Sequence, residues 1–225
     1  MEVKIYLCST CVGTSAEFIK YGKTACGKQR YQCKSCKKTS VLQYTYNAYK
    51  QDVNPKIVQF IKEGLGIRST ARVLKISVTT LLKRIISIAK NIKRPILSFG
   101  NIYELDEMRF FIRKKNNLQW LVYALDKETK QIANFYIGKR NNRTLNAVVK
   151  TLLFSQAKKI YTDKLKNYKY LIPKNLHNTR KNGTNHIERK NLDIRTCLKR
   201  FCRKTICFTK SMVILTAILK IYFWS

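Results

Sequence analysis

Two pairs of cysteines place the tightest constraint on what this chain can fold into. Cys8 and Cys11 form one Cys-x-x-Cys pair, and Cys33 and Cys36 form a second, with 21 residues between the pairs. Each pair fits a tight turn that presents two thiolates to one side, and two such turns close a tetrahedral Cys₄ zinc site. Because so short a segment buries little apolar surface, zinc would supply most of its folding free energy. We therefore predict a zinc ribbon over residues 1–46.

The charge of the chain indicates a polyanionic partner. The sequence holds 46 Lys and Arg against 12 Asp and Glu, for a formal net charge of +34. The positive residues run from Lys4 to Lys220 with apolar residues between them, so the whole surface is basic and not one tail. Nucleic acid is the natural partner of such a surface. An acidic membrane face or a ribosomal surface is the alternative.

The cysteine content and the apolar segments indicate a cytoplasmic protein. The first residues contain no apolar signal core, because Glu2 and Lys4 interrupt it. In a reducing compartment, eight cysteines suggest metal binding and not disulfides. The apolar run over 211–224 is broken by Lys220 and is too short to span a bilayer. We expect a packed terminal helix there and no membrane partner.

A basic segment of the ribbon is a candidate for contact with DNA. Lys28 and Arg30 stand beside Gln29 and Tyr31, between the two cysteine pairs. Such side chains would lie along phosphates. A solvated hairpin is an equally good interpretation of the same residues.

Residues 47–92 have the pattern of a helix-turn-helix. Apolar residues repeat at helical spacing after Pro55, a second helix is predicted over 68–74, and Ser77 fits the N-cap of a third. In this motif the N-terminal half of the last helix enters the major groove of DNA. The side chains that we expect to contact bases and phosphates are Thr79, Thr80, Lys83 and Arg84. A small helical bundle with a basic, solvated face is the alternative.

A linker over 93–101 separates this motif from a domain over 102–225 whose pattern indicates a mixed sheet. A crossover through a helix usually places the next strand parallel to the first. The segments are strands over 103–113, 119–125 and 132–137, a turn over 114–118, a helix over 144–154 and a strand over 159–162. The chain as a whole is thus predicted to be a multi-domain α+β protein.

Three acids in the last domain are candidates for metal-dependent catalysis. Asp106 lies on the first strand, Asp163 ends the last strand, and Glu188 lies on a late helix. Ribonuclease H-like enzymes hold two Mg²⁺ ions with acids in such positions, because hard divalent cations prefer oxygen ligands. Arg195 and Lys199 follow Glu188 by seven and eleven residues on its predicted helical stripe, so they would reach a phosphate beside the metals.

Other acids and histidines compete for these roles. Glu104 shares a strand face with Asp106, and Asp126 falls in a predicted hairpin turn, where Asp favours local hydrogen bonds. We interpret both as structural. His177 and His186 would assist catalysis or bind phosphate, although a lone His is more often a surface or core residue.

Together the motifs resemble transposases of the insertion-sequence-one family, which join a zinc ribbon and a helix-turn-helix to a DDE catalytic domain. The resemblance lies in residues 27–36 (GKQRYQCKSC), 66–77 (GIRSTARVLKIS), 105–129 (LDEMRFFIRKKNNLQWLVYALDKET), 161–168 (YTDKLKNY) and 186–205 (HIERKNLDIRTCLKRFCRKT). The family pattern places 24 residues between its second Asp and its Glu, as between Asp163 and Glu188.

The resemblance implies a ribonuclease H-like domain in which Asp106, Asp163 and Glu188 hold two Mg²⁺ or Mn²⁺ ions. It implies an enzyme that binds terminal inverted repeats, cleaves at the element ends and joins the 3′-hydroxyl to target DNA. A homo-oligomer on DNA, on the nucleoid of a prokaryotic cytoplasm, is expected. Two other classes remain: a DNA-binding regulator or decayed transposase that does not cut, and a structure-specific nuclease of the same fold.

Overall fold

The computed structural model describes residues 8, 11, 17–41, 46–180 and 183–225. The chain divides into two compact units, Met1–Lys50 and Gln51–Ser225. The first unit contains the cysteine-rich segment, and the second contains both the helix-turn-helix segment and the mixed sheet. The boundaries predicted at residues 46, 92 and 101 stay predictions.

The first unit is built on a three-stranded antiparallel sheet. Gly27, with φ of 80°, makes the first turn, and Lys37, with φ of 59°, makes the second. The N–H of Lys37 donates to the carbonyl of Cys33 at 2.9 Å, so the second cysteine pair lies in a tight turn, as its spacing predicts. The strands are β1 (Phe18–Lys23), β2 (Gln29–Cys33) and β3 (Thr39–Ser40), and a short 3-10 helix, Asn47–Tyr49, follows them.

Three helices open the second unit and form the predicted helix-turn-helix. The Ser77 hydroxyl accepts a hydrogen bond from the N–H of Thr80 at 3.0 Å, which confirms Ser77 as an N-cap. Lys75, with φ of 52°, ends the second helix in the left-handed region and turns the chain into the third. The helices are α1 (Val53–Lys62), α2 (Ile67–Leu74) and α3 (Val78–Asn91).

A five-stranded mixed sheet forms the centre of the second unit. Its strands are β4 (Ile102–Ile112), β5 (Lys114–Asp126), β6 (Ile132–Gly138), β7 (Lys159–Thr162) and β8 (His177–Asn178). Their spatial order is β6-β5-β4-β7-β8, in which β6, β5 and β4 are antiparallel neighbours and β7 runs parallel to β4 and β8. The predicted parallel placement of β7 beside β4 is confirmed, and so is the α+β class.

The turn predicted over residues 114–118 is wrong. The chain reverses at Arg113, whose φ of 60° permits a tight turn, and β5 begins at once with Lys114. Residues 114–118 are exposed, because this end of the β4–β5 hairpin is not covered. Without a buried face, a strand has no reason to alternate apolar and polar residues.

Helices cover both faces of the sheet. They are α4 (Asn142–Phe154), α5 (Tyr168–Leu171), α6 (Asn185–Cys197), which runs into a 3-10 helix (Lys199–Phe201), and α7 (Met212–Trp224). Leu105 and Val122 pack in one core with α4. Because side chains alternate along a strand, Glu104 and Asp106 point to the opposite face, which α6 covers.

The helix α7 joins the helix-turn-helix to the sheet. Both α1 and α3 pack against it, and Trp224 donates from its indole N–H to the carbonyl of Ile132 at 2.8 Å. A Cβ on Gly64, just after α1, would lie 2.3 Å from the carbonyl oxygen of Cys197, so only glycine fits there. The packed terminal helix is therefore confirmed, and no helix of the described segments has the length and apolar character needed to cross a bilayer.

Candidate functional site

Three carboxylates meet where β4 passes the end of β7. The parallel register pairs Leu105 with Thr162, which brings the next residues of the two strands, Asp106 and Asp163, together. Oxygens of Asp106, Glu107 and Asp163 all lie within 4.8 Å of one another. The structure therefore brings together the two aspartates that the crossover predicts, and adds a glutamate that the sequence interpretation did not include.

Asp106 is held by hydrogen bonds from two sides. The side-chain amide of Asn191 on α6 donates to Oδ2 at 2.5 Å, and the N–H of Glu107 donates to Oδ1 at 2.7 Å. Burial raises the pKa of Asp106, and the negative charges of Asp163 and Glu188 raise it further. A carboxylate in this environment is stabilised by an added cation.

Glu107 is buried on the face of the sheet that α4 covers. Its Oε2 accepts from Arg140 at 2.9 Å and its Oε1 accepts from the Tyr168 hydroxyl, so both oxygens have protein partners. Burial is the largest cause that raises its pKa. The place of Glu107 next to Asp106 is the one sequence signal that could have indicated a role in this site. Adjacent residues of a strand point to opposite faces, however, so the sequence does not predict that the two share a site.

Glu188 lies near the three carboxylates but outside their group. It is exposed in the first turn of α6, where Oε1 accepts from the Thr184 hydroxyl at 3.0 Å. Its charge still contributes to the raised pKa of Asp106. Asn191, three residues further along the same helical face, contacts Asp106 directly. The helix therefore places Glu188 at the rim of the site.

The competing polar residues have structural contacts. Glu104 is fully buried and accepts from the N–H of Ile187 at 2.8 Å and from His186 Nδ1 at 2.7 Å, which fixes the start of α6 to β4. Asp126 accepts from the backbone in its hairpin turn. His177 Nε2 lies 2.7 Å from the Thr162 hydroxyl, one residue from Asp163. None of these contacts involves a side-chain oxygen of Asp106, Glu107 or Asp163.

The four predicted zinc ligands lie together in the first unit. Sγ of Cys8 is 3.6 Å from Sγ of Cys36, Sγ of Cys11 is 3.9 Å from Sγ of Cys33, and all four sulfurs lie within 4.8 Å. A tetrahedron with zinc–sulfur bonds of about 2.3 Å has sulfur–sulfur edges of about 3.8 Å. The residues present therefore fit a Cys₄ zinc site.

The sulfurs also have the electrostatics of a cation site. Hydrogen bonding to Cys36, burial and the other two sulfurs raise the pKa of Cys11 from 9.0 to about 12. Crowded thiolates repel one another, so a proton is retained unless a metal ion supplies the positive charge. Cys26 is exposed, contacts Thr24 and lies apart from this group.

The predicted recognition residues differ in exposure. Thr79 and Lys83 are exposed one turn apart on α3. Thr80 accepts a hydrogen bond from the Ser77 hydroxyl, and Arg84 donates to Asn54 Oδ1 at 2.8 Å, which joins α3 to α1. Of the four side chains of α3 that the sequence predicts to contact DNA, two are thus exposed and two already have contacts within the protein.

Of the other basic candidates, Lys28 lies in the turn between β1 and β2, and Arg30 stacks 5.9 Å from the centre of the Tyr21 ring. Arg195 lies on α6, as predicted. The helix ends at Cys197, however, and Leu198 leaves helical geometry, so Lys199 is not on one continuous stripe with Glu188. Lys199 is exposed on the 3-10 helix that follows.

Comparison with known proteins agrees with this architecture. A family model described as IS1 transposase matches residues 101–224, and one described as InsA C-terminal domain matches residues 44–88. The chain is 36% identical over 113 residues to the insertion element iso-IS1n protein InsB of Shigella dysenteriae, covering 50% of this chain and 86% of that protein.

Among solved structures, the simian T-cell lymphotropic virus intasome in complex with the PP2A regulatory subunit B56 gamma is similar at a TM-score of 0.39 and 16% identity. That alignment covers 72% of this chain and 66% of the other. The two family models and the InsB relative are sufficient to assign the family of this chain. With its catalytic-domain model matched over more than half its length, the chain belongs to the IS1 transposase family.

Proposed function

We propose that this chain binds the terminal inverted repeats of its insertion sequence, cleaves phosphodiester bonds at the element ends and joins the freed 3′-hydroxyl to target DNA. The observation that carries the proposal is the meeting of Asp106 and Asp163 where β4 passes the end of β7, beside a helix that carries Glu188. Family membership and the basic surface support it. The ribbon and the helix-turn-helix would hold the DNA for this site.

We assign Mg²⁺ or Mn²⁺ to Asp106, Asp163 and Glu188, and not to Glu107. Glu107 already has a counter-charge, because its Oε2 forms an ion pair with Arg140, whereas Asp106, among the described residues, accepts only from neutral donors. Glu188 is exposed, so its side chain moves towards the aspartates at little cost. Two bound ions would activate the attacking water or hydroxyl and stabilise the leaving oxygen.

The chain's own residues would set the geometry of the reaction. Asn191 fixes the orientation of the Asp106 carboxylate, and Tyr123 in turn donates to the Asn191 side-chain oxygen at 2.6 Å. Glu104 fixes the N-terminus of α6 and therefore the position of Glu188. Zinc, held by the four ribbon cysteines, would have a structural role only, because four thiolates leave no open position for water.

The test uses DNA that carries the element ends, incubated in Mg²⁺ with the parent, with Asp163→Asn and with Glu128→Gln. Glu128 is an exposed acid outside the carboxylate group, so it controls for the loss of a charge. We expect the parent and Glu128→Gln to cut and join, and Asp163→Asn to bind DNA without cutting.

Two results would replace the proposal. If the parent binds the ends and never cuts, the chain is a DNA-binding regulator or a decayed transposase. If it cuts without joining and without preference for the ends, it is a structure-specific nuclease. The proposal also requires a homo-oligomer, because pairing two ends needs at least two subunits. Light scattering of the complex with end DNA would then give at least two chains.

A further inference from the structure

A group of four arginines lines a small depression that includes Arg109, three residues after Asp106 on β4. It is about 30 Å³ in volume and lies between β4, the end of α6 and the 3-10 helix after it. Its walls are Arg109, Phe110, Phe111, Arg195, Arg200, Phe201, Cys202 and Arg203. We call this the arginine depression.

The arginines have no counter-charge in the part of the chain that the structure describes. None of the ion pairs there involves Arg109, Arg195, Arg200 or Arg203, and no carboxylate lines the depression. Burial lowers the pKa of the Arg200 guanidinium, because a cation removed from water is disfavoured. Four like charges brought together in this way favour binding of an anion.

The backbone under the arginines is fixed. Phe201 is buried and meets Phe110 edge to face, with ring centres 5.4 Å apart. The Cys202 thiol donates to the carbonyl of Arg195 at 2.9 Å, which ties the 3-10 segment to α6. The arginines therefore project from a surface that is already ordered, which lowers the entropic cost of binding.

The position of the depression relates it to the candidate active site. Arg109 follows Asp106 by three residues on β4, a distance of about 10 Å at roughly 3.3 Å per residue. Beyond Leu105, the side of β4 that faces β7 has no strand partner until Ile112 meets Thr209, within the described residues. Successive phosphates of one DNA strand lie about 3.4 Å apart along the helix axis and further apart through space, so about 10 Å spans at most about three nucleotides.

We propose that the arginine depression is a phosphate-binding site, which holds one backbone phosphate of the end DNA within about three nucleotides of the bond that is cut. This inference rests on the proposed function, since it takes end DNA as the ligand. A contact between arginines and a backbone phosphate positions the strand without reading its sequence.

The test compares two double variants in binding to end DNA. Arg109→Ala/Arg203→Ala removes two exposed arginines of the depression, and Lys150→Ala/Lys158→Ala removes two exposed lysines of the same unit as a matched control. Single methylphosphonate substitutions along the strand neutralise one phosphate at a time. For the parent and the lysine variant, we expect neutralisation of one phosphate within about three nucleotides of the cut to weaken binding roughly tenfold.

For the arginine variant, the same neutralisation should have no further effect on binding. The slope of the logarithm of the binding constant against the logarithm of the salt concentration should also become shallower by about one, as expected for the loss of one phosphate contact. The inference is overturned if the variant remains as sensitive to that methylphosphonate as the parent. It is also overturned if inorganic phosphate raises the melting temperature of the parent while the methylphosphonate pattern does not depend on the arginines, since the site would then serve a free anion. Cutting is scored separately: a parent that shows the pattern but never cuts keeps this site and loses the proposed function.

Discussion

The side-chain amide of Asn191 donates a 2.5 Å hydrogen bond to Oδ2 of Asp106, from a helical position three residues beyond Glu188. The Asn191 side-chain oxygen accepts from the Tyr123 hydroxyl, so the amide has one orientation. A single buried side chain thus links the strand that carries one candidate acid to the helix that carries another. Second contacts of this kind commonly fix the geometry of metal-binding carboxylates.

Asn191→Ala should therefore slow cleavage by about 10- to 100-fold with little change in affinity for end DNA. The Asp106 carboxylate would lose its donor, while the DNA-binding surfaces stay intact. Cleavage rates at saturating Mg²⁺ and binding curves measure the two effects. Leu192→Ala, an exposed neighbour on the same helix, is the control. An unchanged cleavage rate in a folded Asn191→Ala protein would contradict the positioning role.

The third acid can be assigned by exchanging Glu188 and Glu107 separately. Glu188→Gln should abolish cleavage and leave thermal stability unchanged, because Glu188 is exposed. Glu107→Gln should lower the free energy of unfolding by about 1–3 kcal/mol, because an amide NH₂ would replace one of the two oxygens that accept from Arg140 and Tyr168. Denaturant melts and cleavage assays on the same samples separate the two outcomes. The reverse pattern would make Glu107 the third ligand.

The raised pKa values of Asp106 and Glu107 predict how stability depends on pH and metal. A carboxyl whose pKa is higher in the folded protein binds its proton more tightly there. Its contribution to stability is therefore present below the unfolded pKa and is lost as pH rises through the folded pKa. At neutral pH, without metal, both ionised groups lower the stability of the fold.

Asp106→Asn should for this reason raise the melting temperature of the metal-free protein at pH 7. It retains an oxygen that accepts from Asn191, and 1 kcal/mol corresponds to about 2–4 °C for a chain of this length. Mg²⁺ should stabilise the parent more than the variant, because the parent has the additional ligand. Calorimetry at pH 7 and at a pH below 4 makes the comparison. A variant that melts below the parent at pH 7 would show that the buried charge of Asp106 does not destabilise the metal-free fold.

Zinc removal should unfold the first unit. Cys33→Ser removes the buried ligand, and we expect loss of bound zinc and rapid proteolysis within residues 1–50. Cys26→Ser should retain zinc, since the exposed Cys26 lies outside the sulfur group. Zinc content by mass spectrometry and limited proteolysis give the result. Equal zinc content in the two variants would argue against the Cys₄ site.

The two exposed residues of α3 should affect DNA binding differently. Lys83→Ala should weaken binding to all sequences and lower the salt slope by about 1, as expected for a phosphate contact. Thr79→Ala should reduce the preference for end DNA over random DNA, as expected for a base contact. Lys90→Ala, exposed in the last turn of α3, is the control. The assignment fails if both variants bind like the control.

Local patterns in the sequence predicted most of the fold. Ser77 acts as the predicted cap, the four cysteines share one site, and the crossover brings Asp163 beside Asp106. Each of these depends on residues near in sequence or on a general rule of chain topology. The helix boundary after Cys197 was not visible, because Leu198 and Phe201 keep helical spacing although the backbone changes there.

The composition of the site was less predictable than its location. Glu107 joins the carboxylate group through the twist and register of three strands, and no residue spacing encodes this. The contacts of Asn191 and Arg140 depend likewise on side chains 85 and 33 residues away in sequence. The arginine depression was predicted only at Arg195, because its other members come from β4 and from a segment that was expected to continue α6.

The contacts of α7 would fix the distance along DNA between the bases that α3 contacts and the bond that is cut. Because α1 and α3 pack on this helix and Trp224 fastens it to β6, α3 and the carboxylates belong to one compact unit. The number of base pairs between the sequence read by α3 and the phosphate that is attacked would then be a fixed property of the protein. Inserting half a helical turn of DNA between them would turn the scissile bond away from Asp106 and Asp163. No flexible linker between α3 and the carboxylates would then allow the protein to follow that rotation.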